Sequence, residues 1–395
     1  MSPVSRLAAD VTARPNGAAV VQAFSADLYR QVATVPGNQV CSPYSVAIAL
    51  AMTRNGARGQ TATEMDSVLH APETSLLNSA LNALQHHLDS RAGERRRADG
   101  SSAVIALDVA NSLWGQAGAQ WQDEFLDALA RNYGAGVRLV DYLTDPETAR
   151  RKINAWTADR TNDRIPELVP PDALTELTRL VLVNAIYLKA PWEEPFEPAL
   201  TQQAPFTRAD GSTVTAPMMH GSLRSAGFSS GPGWRAVDLP YAGSQLAMAI
   251  VLPDEGNRDA YERALDSATL AQLLTGFEPT RLTLDLPRWT FRTQASLNQV
   301  LATLGMPTAF TTSANFSGMT TQMELKISDV LHEAFIAVDE AGTEAAAATA
   351  VVIEVTSAQL DPITTMTVDR PFIFVIHDVE TATPLFIGRV NDPTT

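Results

Sequence analysis

The stretch Glu340–Ser357, EAGTEAAAATAVVIEVTS, begins like a helix and ends like a strand. Five of the six residues after Glu344 are Ala, the best helix former, whereas Val351, Val352, Ile353 and Val355 are strand residues. Laid out as a strand from Thr343 to Thr356, its side chains alternate between two faces. Thr343, Ala345, Ala347, Thr349, Val351, Ile353 and Val355 share an uncharged face, small at first and branched later. Glu344 and Glu354 fall together on the other face, so a slip by one residue would bury both, and the register is specified. The residues that follow, SAQLDPITTMTVDRP, are polar and contain proline, as an exposed loop does. Gly342 to Arg370 is then a very long connection, and such connections are usually functional or disordered. A segment that is loop in one state and strand in another satisfies both readings.

Outward from this segment the pattern is mixed α+β. The first half is mostly helical: GAAVVQAFSADLYRQVA carries apolar residues near helical spacing, and SPYSVAIALAMTRNG opens with a Ser42 cap and Pro43 in the first turn. Leu180 to Leu188 form a nearly continuous apolar run, the signature of a strand buried on both faces. Beyond about residue 200 strands dominate, including QLAMAIVLP, ELKISDVLHEAFIAVDE and PFIFVIHDV. TQASLNQVLATLGM reads as a helix ended by Gly305, and SRAGERRRADGSS as a solvated loop. With no linker and no repeat, residues 1–395 read as one large mixed domain.

Composition excludes several function classes. A net charge of −15 over 395 residues opposes broad nucleic-acid binding. Cys41 is the only cysteine, so no intrachain disulfide forms. No apolar run reaches the ~20 residues of a membrane span. The opening MSPVSRLAADVTARPNG lacks a signal-peptide core. The chain is therefore expected to be cytoplasmic, or secreted with its leader already removed. The six histidines form no H-E-x-x-H, and neither a Walker loop nor a G-x-G-x-x-G is present, so no metal or cofactor is expected. GFSSG, Gly227 to Gly231, matches a nucleophile elbow around Ser229 but lacks the flanking strand and helix, and reads as a surface turn. His332, inside an apolar strand pattern, reads as a core histidine satisfied by hydrogen bonds. Nothing local supports an enzyme.

DEAGTEAAAATA resembles the reactive-loop hinge of the serpins, the serine protease inhibitors. The hinge pattern is Glu340, a variable residue, Gly342, Thr343, another variable residue, and the small run Ala345, Ala346, Ala347 and Ala348. NQVCSPYSVAIALAM, KINAWTADRT, NAIYLKAPWEEPF, LGMPTAFTTSANFSGM and DRPFIFVIHDVETATPLFIGRVNDP also resemble serpin segments, in serpin order, from about Ala19 to Pro393. The resemblance implies the serpin fold: one domain of three β-sheets and about nine helices, with an exposed reactive-centre loop over about 340–370. It implies a monomer whose partner is a serine protease, held as a covalent acyl-enzyme while the cleaved loop enters the large sheet as a new strand. It implies no nucleic acid, no membrane and no cofactor.

Counting from Glu340 as in typical inhibitory serpins places the reactive bond at Thr356–Ser357, with Leu360 as a weaker alternative. Small and β-branched residues there suggest elastase-like or subtilisin-like targets. Ser42, Pro43, Ser45, Asn184 and His332 match the family's shutter, where the large sheet parts. Trp192, Arg288 and Glu340 match its breach, at the top of that sheet. Ala341 departs from the charged residue many inhibitors carry. The arginines at 95–97 lie in a loop rather than on a helix, so heparin binding is not expected. The competing reading is a non-inhibitory carrier or chaperone on the same fold, whose loop is only a substrate.

Overall fold

The computed structural model describes residues 4–344 and 363–395. The first part is helical, with α1 (Arg14–Val32), β1 (Gln39–Cys41), α2 (Pro43–Arg54), α3 (Gly59–Val68) and α4 (Thr74–Asp89). The hairpin β2 (Gly93–Arg96) and β3 (Ser102–Gln116) follows, then α5 (Asp123–Tyr133), β4 (Val137–Val140), α6 (Pro146–Arg160) and β5 (Leu180–Pro191). Next come β6 (Gln202–Thr207), β7 (Thr213–Leu223), β8 (Gly227–Gly231), β9 (Trp234–Pro240) and β10 (Leu246–Pro253), with α7 (Arg258–Ala264) and α8 (Ser267–Thr275). β11 (Glu278–Pro279), β12 (Leu282–Pro287), β13 (Trp289–Ser296), α9 (Asn298–Leu304) and β14 (Asp329–Asp339) lead to β15 (Gly342–Thr343). β16 (Thr364–Thr367), β17 (Phe372–Asp378) and β18 (Thr383–Val390) close the chain. Three sheets and nine α-helices among the described residues are what the resemblance implies.

The large sheet has the order β13-β14-β15-β5-β3-β2, with β4 beside β3. β5 explains its own sequence. Leu182, Ile186 and Leu188 face the main core, and Val181, Val183 and Ala185 join a second apolar cluster under α6, with Ile153 and Ile165. Both parities are therefore apolar, as a strand covered on both faces requires. β5 runs parallel to β14 from Asp329↔Val181 to Ala334↔Ile186. Beyond that the two strands stop pairing. The two-residue β15 sits between them, antiparallel to both, with Thr343 opposite Val338 on one side and Ala190 on the other.

Three sequence expectations change. SRAGERRRADGSS is not a free loop: Gly93–Arg96 pairs with β3, and Arg91 and Arg97 are buried. Arg91 donates to the buried Asp378 (2.6 Å) and to Glu380 (2.9 Å), ion pairs that compensate its burial. GFSSG is a strand and not a turn, with Ser229 opposite Ala236 in β9. The first residues of TQASLNQVLATLGM extend β13, and only Asn298–Leu304 is helical, because Thr293 to Ser296 pair with β14. Cys41, at the end of β1, is buried, and burial pushes its thiol pKa up to about 12.

The cap of α2 follows expectation. Ser42 accepts the Ser45 N–H (3.2 Å), and Pro43 occupies the first turn. Ser42→Ala is expected to lower stability by ~1 kcal/mol, read from denaturant unfolding. An unchanged unfolding midpoint would remove the cap from the account.

Candidate functional site

Each residue at the end of β14 is fixed by a different contact. Asp339 Oδ1 accepts the N–H groups of Ala341 (2.8 Å) and Gly342 (3.2 Å), which turns the chain back on itself. Gly342 has φ +149°, and a Cβ there would stand 2.3 Å from the Ala190 carbonyl oxygen, so the turn needs glycine. Thr343 is buried, and its hydroxyl shares a 2.5 Å hydrogen bond with that of Tyr241. Tyr241 in turn stacks on Trp192, 4.6 Å between ring centroids. Glu344 closes this first turn of strand by donating its N–H to Ala337 O (2.8 Å).

Beyond Thr343 the strand stops, because Glu344 takes φ +51°, the left-handed region that a non-glycine residue seldom occupies. Its carboxylate is paired with Arg164 from the segment after α6. Burial raises the Glu344 pKa, and the charges of Arg164 and Lys189 oppose that rise. Thr343 and Glu344 therefore point to opposite faces, as the alternation in the sequence requires.

Trp192 ties the region together. Its main-chain N–H donates to Ala341 O (2.9 Å) and its indole N–H to Asp339 O (3.0 Å). Its carbonyl accepts from Arg97 Nε (2.8 Å). Arg288 donates through Nε to Glu340 Oε1 (2.7 Å), and Thr201 donates to the same oxygen. Burial works against the Glu340 charge, but the Arg288 and Thr201 hydrogen bonds outweigh it and hold the carboxyl below the ordinary glutamate range. Trp192, Arg288 and Glu340 are thus one cluster around the turn.

Ser42, Pro43, Ser45, Asn184 and His332 also come together, below the point where β5 and β14 part. His332 lies opposite Asn184 in the parallel register, and Asn184 lies opposite Asn111 of β3. The Ser42 N–H donates to His332 Nε2 (3.1 Å), and Ser45 Oγ donates to Asn111 Oδ1 (2.6 Å). His332 Nε2 accepts from Ser42, and the Asn184 backbone is its other hydrogen-bond partner. The Asn184 side-chain amide is buried with no hydrogen-bond partner among the described residues. Burial pushes the His332 pKa down to about 4, with the Asn184 backbone opposing.

Tyr241, Arg164 and Asn111 were not singled out from the sequence, and Arg97 was read only as one of a loop cluster. Asn111 alone had a local signal, a polar residue within the apolar run AVIALDVANSLW. The other three act through contacts far away in the chain. Ala345, Ala346, Ala347, Ala348, Thr356 and Ser357 lie outside the described residues.

Comparison with known proteins bears on this arrangement. The family model described as Serpin (serine protease inhibitor) matches residues 19–393. The chain belongs to the serpin family. A serpin-like protein of Thermococcus kodakarensis is 37% identical over 374 residues, covering 94% of this chain and 85% of the relative. The leukocyte elastase inhibitor of Bos taurus is 36% identical over 380 residues, covering 94% and 97%. Among solved structures, the thermophilic serpin Tengpin in its native state matches with a TM-score of 0.84 at 27% identity, covering 98% of this serpin and 96% of Tengpin.

Two predictions follow from the geometry of this serpin. Gly342→Ala is expected to expel the first rung from the sheet, since both the torsion and the Ala190 carbonyl oppose a Cβ. Amide exchange at Glu344 should then rise at least tenfold, and unchanged protection would refute the seat. The second concerns pH. A histidine with an ordinary pKa near 6.5 when unfolded and about 4 when folded favours folding at neutral pH. That contribution is present above pH 6.5 and is lost as pH falls toward 4. Burial raises Glu333 to about 7, which acts with the opposite sign over an overlapping range. Comparison with His332→Asn separates the two. Between pH 6.5 and 4 the unmodified chain should lose on the order of 3 kcal/mol more than the variant. Equal losses would exclude His332.

Proposed function

We propose that the protein inhibits serine proteases as a suicide substrate. A target protease attacks the loop at Thr356–Ser357 and forms an acyl-enzyme. The cleaved segment Thr343–Thr356 then enters the large sheet between β14 and β5 and carries the bound protease with it. The observation that carries this reading is the seated Gly342–Thr343 rung. It already makes antiparallel pairs with both neighbours, and β5 and β14 are unpaired just ahead of it.

The observed faces give insertion a register. Thr343 points to the buried side, so Ala345, Ala347, Thr349, Val351, Ile353 and Val355 follow it there. Glu344 and Glu354 stay on the opposite face. Small residues enter first, which favours a step that has to outrun deacylation. Insertion breaks the short parallel ladder and creates two antiparallel ones, which are slightly more stable per residue.

The magnitudes are close to balance. Burying Val351, Ile353 and Val355 contributes roughly 1.5–3 kcal/mol each. The net gain in ladder hydrogen bonds contributes ~1 kcal/mol per bond. Ordering the entering residues costs ~1–2 kcal/mol each. Strain in the uncleaved fold therefore matters, and Glu344 at φ +51° is one place that stores it, on the order of 1–3 kcal/mol.

Small and β-branched residues around Thr356 suit elastase-like or subtilisin-like targets, and one relative is named a leukocyte elastase inhibitor. Incubation with pancreatic elastase or subtilisin should yield an SDS-stable adduct and a released peptide spanning 357–395. Clean cleavage with full protease activity would instead support the carrier reading. Thr343→Arg places a charge against Tyr241 and is expected to convert the inhibitor into a substrate, raising the inhibitor:protease ratio needed for full inhibition at least tenfold. Ser229→Ala should leave inhibition unchanged.

A further inference from the structure

A cavity of about 460 Å³ opens beside the large sheet, away from the hinge. Its walls come from α2 (Ile48, Met52), β3 (Val109, Asn111), the end of α5 (Tyr133) and α6 (Trp156). That volume is in the range of small-molecule sites. Two guanidinium groups, Arg138 and Arg160, also line it. Among the described residues neither has a hydrogen bond or an ion pair with a carboxylate. Arg6 at the rim is already engaged by Asn82, Gln85 and Asp89, so the available positive charge belongs to Arg138 and Arg160.

Arg138 is held in place. Its guanidinium lies 5.5 Å from the centroid of the Trp114 ring and 4.8 Å from that of Trp156, and the two rings meet edge to face. Burial and the Arg160 charge both lower its pKa, and no acid opposes them. In a chain of net charge −15, two neighbouring cations without a counter-ion are unusual. The other unmet groups of the wall have the same polarity. Among the described residues Asn111 Nδ2 and Trp156 Nε1 are both buried without a partner, and both are donors. Gln85 and Ser112 also line the cavity, but its unpaired cations and its unmet buried groups are all donors, and with Ile48, Met52 and Val109 beside them they are matched by an acceptor-bearing anion with an apolar body.

We propose that this cavity binds an amphipathic monocarboxylate, its carboxylate between Arg138 and Arg160 and its apolar body along Ile48, Met52, Tyr133 and Trp156. The site reaches the moving part of the sheet through one residue. Asn111 forms part of the wall, accepts the Ser45 hydroxyl and pairs across from Asn184. An occupant therefore sits against β3 and α2, one residue removed from β5, and it favours the present arrangement of those elements over one in which they have shifted.

The test uses the full chain with decanoate, decanol and inorganic phosphate as probes, followed by calorimetry and by the fluorescence of Trp114 and Trp156. Decanoate should bind saturably at one site, and decanol and phosphate each at least tenfold more weakly. Arg138→Gln and Arg160→Gln should each weaken decanoate at least tenfold while the thermal transition is retained. Arg160 is exposed, so its variant tests the idea even if Arg138→Gln perturbs folding. Equal affinity for decanoate and decanol would reduce the site to apolar partition. Equal affinity for phosphate would make it a plain anion site. Insensitivity to both substitutions, or no binding below ~1 mM, overturns the proposal outright.

Discussion

The hydrogen-bonding edges of β5 and β14 face each other, and two partners compete for them. In the lower part the strands satisfy one another in parallel, through Asp329↔Val181 to Ala334↔Ile186. At the top the same edges are taken by Gly342 and Thr343, which run antiparallel to both. Backbone groups buried in a covered sheet need partners, so the choice between the two arrangements is close to all-or-none at each level. The rest of the molecule supports one side or the other. Asp339 turns the chain back toward the sheet, Trp192 and Tyr241 hold Thr343, and Glu344 itself takes a left-handed torsion outside the strand.

The polar groups divide by level in the same way. Those around the turn are nearly all satisfied, and carbonyl and carboxylate acceptors meet Arg97, Arg288 and Thr201. Those at the level of His332 are not, since among the described residues neither side-chain atom of Asn184 is bonded. Unmet buried groups of this kind destabilise the arrangement that contains them. The better-bonded end is where the rung is seated, and the poorly bonded end is where the strands still have to separate on the proposed mechanism.

The fold class was legible in the sequence because its deciding signals are local. A run apolar on both parities marks β5, Ser42–Pro43 marks the start of α2, and the Glu340–Thr343 pattern marks the turn. The parts of the site that were not legible depend on distant contacts. Arg97 looked like one of a solvated cluster until the β2–β3 hairpin brought it under the Trp192 carbonyl. Tyr241 has no local signal, since its role comes from stacking on a tryptophan and meeting a threonine far along the chain. GFSSG misled in the other direction, because glycine and serine suggest a turn where pairing with β9 makes a strand. Tertiary pairing overrode composition there.

The lone buried Cys41 has a consequence for how durable this molecule is. Nothing covalent ties β5 to β14, and every restraint between them is a hydrogen bond or a packing contact. On the proposed mechanism the present arrangement persists because a barrier separates it from the inserted one, so its endurance is a half-life rather than a melting point. Small changes at the level of His332 and Asn184 would then alter how long the protein remains ready to act while barely altering its shape.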